Sequence, residues 1–107
     1  MGKEPLKTLT EGMYYVLLSL YRGERCGTEI AAFVREATAG RTALGPGTLY
    51  TILGKFLEEG LIRETAVEGR RRTYAATEEG RALFLRELGR LRRCVADGVK
   101  ELGEEDI

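Results

Sequence analysis

The chain has 107 residues, with 17 basic and 17 acidic side chains and a formal net charge of zero. That is the size of one small domain with a single core, and the balance excludes a uniformly basic polyanion binder while leaving local patches open. With no histidine in the sequence, a histidine general base, a histidine-containing metal site and a Ser-His-Asp arrangement are all excluded.

Cys26 and Cys94 are far apart and form no CxxC pair. Buried, reduced thiols are expected, with a redox couple as the minor alternative. Catalysis, a bound metal and a cofactor are therefore not expected. No apolar run approaches the ~20 residues of a membrane span. The start, MGKEPL, has no apolar h-region, and Leu6 stands where a myristoylation signal has Ser or Thr. A soluble cytoplasmic protein is the expectation.

Taken in chain order, Thr8 and Glu11 have capping-box spacing. Leu9, Met13, Val16, Leu17 and Leu20 then recur every three or four residues, which predicts an amphipathic first helix ending near Gly23. A second helix is predicted from Gly27 or Thr28, with Ile30, Phe33, Val34 and Ala37 on its buried face and Gly40 as its stop.

The stretch GPGTLYTILGKFLEE, residues 45–59, predicts a third helix. Pro46 suits a helix start because it lacks an N–H and its φ is already helical; Thr48 either caps the helix or sits in its first turn. Leu49, Ile52, Leu53, Phe56 and Leu57 form the apolar stripe, and Tyr50, Thr51, Gly54, Lys55 and Glu58 lie off it. Gly60 fits the left-handed position past the end, with Leu61 folding back on Phe56 in a Schellman ending.

Residues 61–67 and 71–77 are short β-type segments joined through Glu-Gly-Arg, a tight hairpin with Arg70, Arg71 and Arg72 at its tip. Thr77 is the predicted N-cap of a last helix, with Glu78 and Glu79 in its first turn. Phe84, Leu88, Leu91, Val95 and Leu102 repeat at four, three, four and seven residues. So long a seam has too little domain beside it to be covered within one chain, and pairing with a second copy is predicted. Cys94 lies beside the seam as a small apolar filler. The acidic end, GEEDI, is expected to fray.

The glycines before this third helix raise the question of a phosphate loop. A Walker loop needs Gly, four residues, then Gly-Lys-Ser/Thr. Here Phe56 follows Gly54-Lys55, and Leu49 stands where the first glycine belongs. The dinucleotide pattern fails as well, since Tyr50 replaces its third glycine. The order helix, helix, helix, hairpin instead matches a winged helix-turn-helix over residues 1–77, with a C-terminal dimerisation helix over 78–107 in the same compact unit. In that fold the third helix enters the major groove and the hairpin is the wing. The rival reading is a winged helix used for protein contact, for which neutral charge and Gly54 are natural.

These stretches also carry a family resemblance. GPGTLYTILGKFLEEGLI resembles the signature of PadR-type transcriptional regulators: Gly-Thr-Leu-Tyr, an apolar helix, then Glu-Glu-Gly-Leu-Ile. EGMYYVLLSLYRGERCGTEI is similar to that family's first two helices, and RRRTYAATEEG to its wing strand and the start of its last helix. Two positions depart: Thr28 stands where the family has tyrosine, and Gly54 loosens the third helix by ~1 kcal/mol relative to alanine.

The resemblance implies a homodimeric repressor on a palindromic double-stranded DNA operator, released by a small effector. It also implies that such an effector is a flat aromatic compound between protomers, where Tyr14, Tyr15, Phe84 and Leu88 are the lining candidates. Tyr50 is then a phosphate contact, its bland alternative being a ring packed on the wing. Thr48, Thr51 and Lys55 are candidate base-edge or backbone contacts, as against plain solvent exposure. Arg70 to Arg72 suit phosphates, with Arg72 alternatively paired to Glu64 or Glu68. Arg81, Arg86, Arg90, Arg92 and Arg93 are read as a solvated helix face.

Overall fold

The computed structural model describes residues 6–103. Four helices and a three-stranded antiparallel sheet follow in the order α1 (Glu11–Leu20), β1 (Arg25–Cys26), α2 (Gly27–Ala37), α3 (Pro46–Glu58), β2 (Ile62–Glu68), β3 (Arg71–Ala76) and α4 (Glu78–Leu102). This is the winged helix-turn-helix expected. The sheet order β1-β3-β2 adds one strand that the sequence did not suggest. β1 is two residues long, pairing Arg25 with Tyr74 and Cys26 with Thr73, and it ties the start of α2 to the wing.

The core gathers one stripe from each helix: Val16, Leu17 and Leu20 of α1, Ile30 and Val34 of α2, Leu49, Ile52, Leu53 and Phe56 of α3, and Leu83 and Phe84 of α4. Two stripe assignments change. Leu57 is exposed, because the four buried residues of α3 already complete one face. Ala37 is exposed too, and Thr38 takes the buried place at the end of α2. Thr38 is satisfied there by donating to the Val34 carbonyl at 2.8 Å.

The first cap also moves. Thr10 and not Thr8 caps α1, its hydroxyl accepting the Met13 N–H at 3.2 Å. Leu9 therefore precedes the helix, where its N–H is taken by Glu87 of α4 at 2.7 Å. Glu11 does not reach back to a Thr8 cap; its carboxylate pairs with Arg41 in the loop before α3. The helix ends at Leu20, ahead of Gly23.

The end of α3 follows the expected Schellman pattern. Gly60 has φ of +73°, its N–H donates to Leu57 at 3.2 Å, and the Leu61 N–H donates to Phe56 at 2.9 Å. At the wing tip Gly69 has φ of +63°. The hairpin register then sets Glu68 opposite Arg71, with an irregularity between Glu64 and Ala66. Thr77 caps α4 as expected, accepting the Gly80 N–H at 3.1 Å.

The expected seam on α4 is divided. Phe84 is buried in its own chain, its ring 4.8 Å from Tyr14 and 5.6 Å from Tyr21. Leu88 is half-buried against the same core. Leu91, Val95 and Leu102 are exposed, at 37%, 65% and 59%. Cys26 is buried and Cys94, expected as a filler, is exposed; both are free thiols. The expected fraying of the acidic end falls on residues 104–107, outside the described residues. No helix among the described residues is long and apolar enough to cross a membrane.

Glu87 is a buried carboxylate held by two groups. Arg90 meets both of its oxygens, at 2.7 and 2.9 Å, and Leu9 donates its backbone N–H. The Arg90 hydrogen bonds hold the Glu87 carboxyl below the usual carboxylate range, against the opposing push of burial.

Two predictions follow from this packing. A Cβ on Gly80 would lie 2.0 Å from the Leu61 carbonyl oxygen, whereas one on Gly54 meets nothing within 4 Å. Gly80→Ala should therefore lower the thermal midpoint by more than ~10 °C, corresponding to a loss of ~2–3 kcal/mol. Gly54→Ala should raise it by several degrees through helix propensity, worth ~1 kcal/mol. Both are read by circular dichroism melting.

The second concerns acid. Because the folded-state value of Glu87 is depressed, its contribution is complete above the unfolded value of about 4.3 and fades as pH falls through the folded value. Glu87→Gln should lower the midpoint by about 5 °C at neutral pH. The gap from the unsubstituted protein should close below about pH 4.

Candidate nucleic-acid interface

The outward face of α3 is fixed by its inward one. With Leu49, Ile52, Leu53 and Phe56 buried, the helix presents Thr48, Tyr50, Thr51 and Gly54 to solvent. Thr48 lies in the first turn, since Gly45 takes the cap position and Pro46 the first helical one. Thr51 donates its hydroxyl to the Gly47 carbonyl at 2.9 Å, which leaves its lone pairs and methyl group outward. Lys55 is less exposed than these four residues and pairs with Glu59 one turn on, at 3.5 Å.

Tyr50 is 56% exposed. Its hydroxyl sits over the start of α2, where a Cβ on Gly27 would be only 3.1 Å from the oxygen. It also lines a cleft of about 460 Å³ between the start of α2 and the wing, which brings it to Gly27, Thr28 and Arg70 to Arg72. The sequence kept α3 and the hairpin tip as separate candidates; the fold puts Tyr50 and the three arginines round one opening. Thr48, Thr51 and Lys55 lie outside that cleft, along the rest of α3.

Each wing arginine has a different setting. Arg72 donates to Glu64 at 2.6 Å, one of the two alternatives that its position offered. That hydrogen bond strengthens the Arg72 proton's hold, raising its already high value. Arg71 lies 3.7 Å from Glu29 of α2. Arg70 makes no ion pair among the described residues and stands exposed at the turn.

On the α2 side of this opening, sequence reasoning singled out Thr28 but missed Cys26 and Glu29. Cys26 holds the cap position and Glu29 the third helical one, with the Glu29 carboxylate accepting the Cys26 N–H at 2.8 Å. The Cys26 sulfur lies 3.3 Å from the Thr28 hydroxyl, a contact that lowers the thiol's value although burial opposes it. The Cys-Gly-Thr-Glu order at residues 26–29 carries the spacing of a capping box. A cysteine in place of Ser or Thr concealed it.

Tyr21, Phe33, Phe84, Leu85 and Leu88 line an open cleft of about 600 Å³ together with Arg22, Glu24 and Arg25. Arg25 lies over the Phe33 ring at 4.7 Å. Of the four residues proposed to line a pore, Phe84 and Leu88 border this cleft, while Tyr14 and Tyr15 do not. No cluster of three or more histidine, cysteine or acidic residues fit for a metal occurs among the described residues.

A recognition-type helix with a wing beside it defines a winged helix-turn-helix protein. Residues 16–86 match the Transcriptional regulator PadR-like family, and the chain belongs to that family. It is thus a DNA-binding transcriptional regulator and not an enzyme.

Solved structures share the fold. A transcriptional regulator from Clostridium thermocellum superposes with a TM-score of 0.73 at 23% identity, over 85% of this chain and 88% of that one. A PadR family transcription regulator from Clostridium difficile gives 0.68 at 24%, over 86% and 97%. Bacillus subtilis PadR in complex with operator DNA gives 0.63 at 24% identity, over 71% of this chain but only 45% of that one. No curated protein sequence matches the chain.

Proposed function

We propose that the protein is a homodimeric repressor that binds a palindromic operator and leaves it when a small effector binds. The observation that carries this reading is the shared opening of α3 and the wing. Tyr50 and Arg70 to Arg72 line one cleft, and Thr48 and Thr51 are exposed on the same helix as Tyr50. The wing cations and Tyr50 then fix the register on phosphates, which carry no sequence information. Thr48, Thr51 and Lys55 face the groove, where hydroxyls, methyls and amines distinguish base edges. Lys55 must exchange Glu59 for DNA to do so.

The dimer is supported by the distal half of α4. Leu91, Val95 and Leu102 are exposed on a helix whose buried residues all lie between Gly80 and Glu87. A second copy would cover that stripe and set two recognition helices about one DNA turn apart, ~34 Å. The effector is proposed to be a flat aromatic compound in the cleft bordered by Tyr21, Phe33, Phe84 and Leu88, whose size suits a small ligand. Wedging α1 from α4 there would change the angle between protomers and spoil the half-site spacing. Planar aromatic compounds that leave operator binding unaltered would remove the support for this step.

Replacing Arg70, Arg71 and Arg72 together by alanine should weaken binding to every duplex by about 10- to 100-fold near 0.1 M salt. The slope of log affinity against log salt should also flatten by about two to three. A wing that serves protein contact would leave both unchanged, and fluorescence anisotropy over a salt series distinguishes the two.

Leu91→Asp with Val95→Asp should give folded monomers in sedimentation velocity, because both side chains are exposed in the single chain. Dimers surviving that change would exclude the α4 seam.

A further inference from the structure

The cleft between α2 and the wing already contains an anion. Glu29 projects from the third position of α2, one of its carboxylate oxygens accepting the Cys26 N–H at 2.8 Å. The other oxygen lies 3.7 Å from the Arg71 guanidinium. This is the pair of partners that a DNA phosphate uses: an N–H at a helix N-terminus and a flexible cation. Arg70, Arg72 and Tyr50 border the same opening. The Cys26 N–H, followed by the Cys26 side chain and then by Arg71 and Arg25, holds the Glu29 carboxyl below its ordinary range. It is a charged occupant at neutral pH.

We propose that Glu29 occupies, in the free protein, the place of one DNA backbone phosphate, and so restrains affinity without touching specificity. The inference rests on the reading that this face meets DNA. When the duplex arrives, Arg71 exchanges a carboxylate for a phosphate, and Glu29 is left beside a polyanion. Glu29 then gathers a cation from solution, which offsets one of the counterions that the phosphate releases. Binding is weaker, and less dependent on salt, than the arginine count alone would give. Arg72 and Glu64 are similarly paired, but that contact lies within the hairpin and makes no link to α2.

The opposite role is open to the same geometry: Glu29 could aim Arg71 at the phosphate, in which case its loss would weaken binding. Glu29→Gln separates the two, since glutamine retains an acceptor for the Cys26 N–H and the cap persists. The full-length protein is titrated into two labelled duplexes, one from its own upstream region and one of unrelated sequence, by anisotropy from 50 to 300 mM salt (about these limits). Glu29→Gln should tighten both by about 3- to 10-fold at the low-salt end and steepen the salt slope by about 0.9. In an Arg71→Ala background the same substitution should have less than half that effect.

Equal or weaker binding by Glu29→Gln, with an unchanged melting midpoint, overturns the proposal. So does a gain that is undiminished without Arg71, because a general change of net charge would then explain it. If the unsubstituted protein binds neither duplex at low salt, the DNA reading of this face falls and this inference with it. If it binds and Glu29→Gln does not tighten it, only the inference falls.

Discussion

The arrangement of the interface depends on one close approach, where the chain leaves α3 and where it enters α4. Gly80 lies so near the Leu61 carbonyl that no side chain fits between them. Thr77 closes the same junction from three sides. Its hydroxyl donates to Gly60 at 2.7 Å and accepts from Gly80, while its backbone N–H donates to Leu61 at 3.0 Å. One threonine therefore caps α4, holds the C-terminal turn of α3 and closes the base of the hairpin. A groove-reading helix and a wing are useful together only at a fixed angle, and this junction fixes it. The two-residue strand β1 does the corresponding work at the start of α2, where Cys26 pairs with Thr73.

Charge is organised by the same geometry. A chain with 17 cations and 17 anions has no overall field to attract DNA. What matters is where the anions stand. Glu64 and Glu29 lie against two of the three wing arginines, whereas Glu11 and Glu87 pair with Arg41 and Arg90 away from the wing. Apart from the buried Glu87, these are exposed ion pairs, which contribute little to stability. Their effect on the local potential is larger than their effect on folding. A neutral sequence is thus compatible with a DNA-binding surface whose strength is moderated from within.

The parts legible in the sequence are those set by near neighbours. The α3 stripe apart from Leu57, the Gly60 ending, the Gly69 turn and the Thr77 cap each depend on residues within about one or two turns, and local pattern was enough. The parts that were not legible depend on distant partners. Thr8 and Thr10 are equally good caps by composition. The cap falls to Thr10, and the Leu9 N–H before it is taken by Glu87, 78 residues away. β1 exists only because β3 lies beside it, and two residues carry no periodicity. In the candidate site, the residue types on α3 and the wing could be read, and Glu64 as a partner for Arg72 across the hairpin, but not the carboxylate that α2 brings to them. Glu29 comes to Arg71 across 42 positions of sequence, through a fold and not a pattern.

The last helix depends on distant partners as well. Its apolar repeat extends from Phe84 to Leu102, yet the structure divides it. Phe84 belongs to the core of its own chain, Leu88 lies at the margin, and Leu91, Val95 and Leu102 are exposed. A periodic stripe reports only that one face of a helix avoids water; it does not say what covers that face. The division follows from length. A helix of 25 residues outruns the domain that its first ten cover, and Glu87 with Arg90 stands where the cover ends. Continuity of the stripe across that point is what links the two proposed roles of α4. A partner seated on its distal half would bear on the same rigid helix that packs α1, so that a ligand between α1 and α4 and a second copy on α4 would both act on one element.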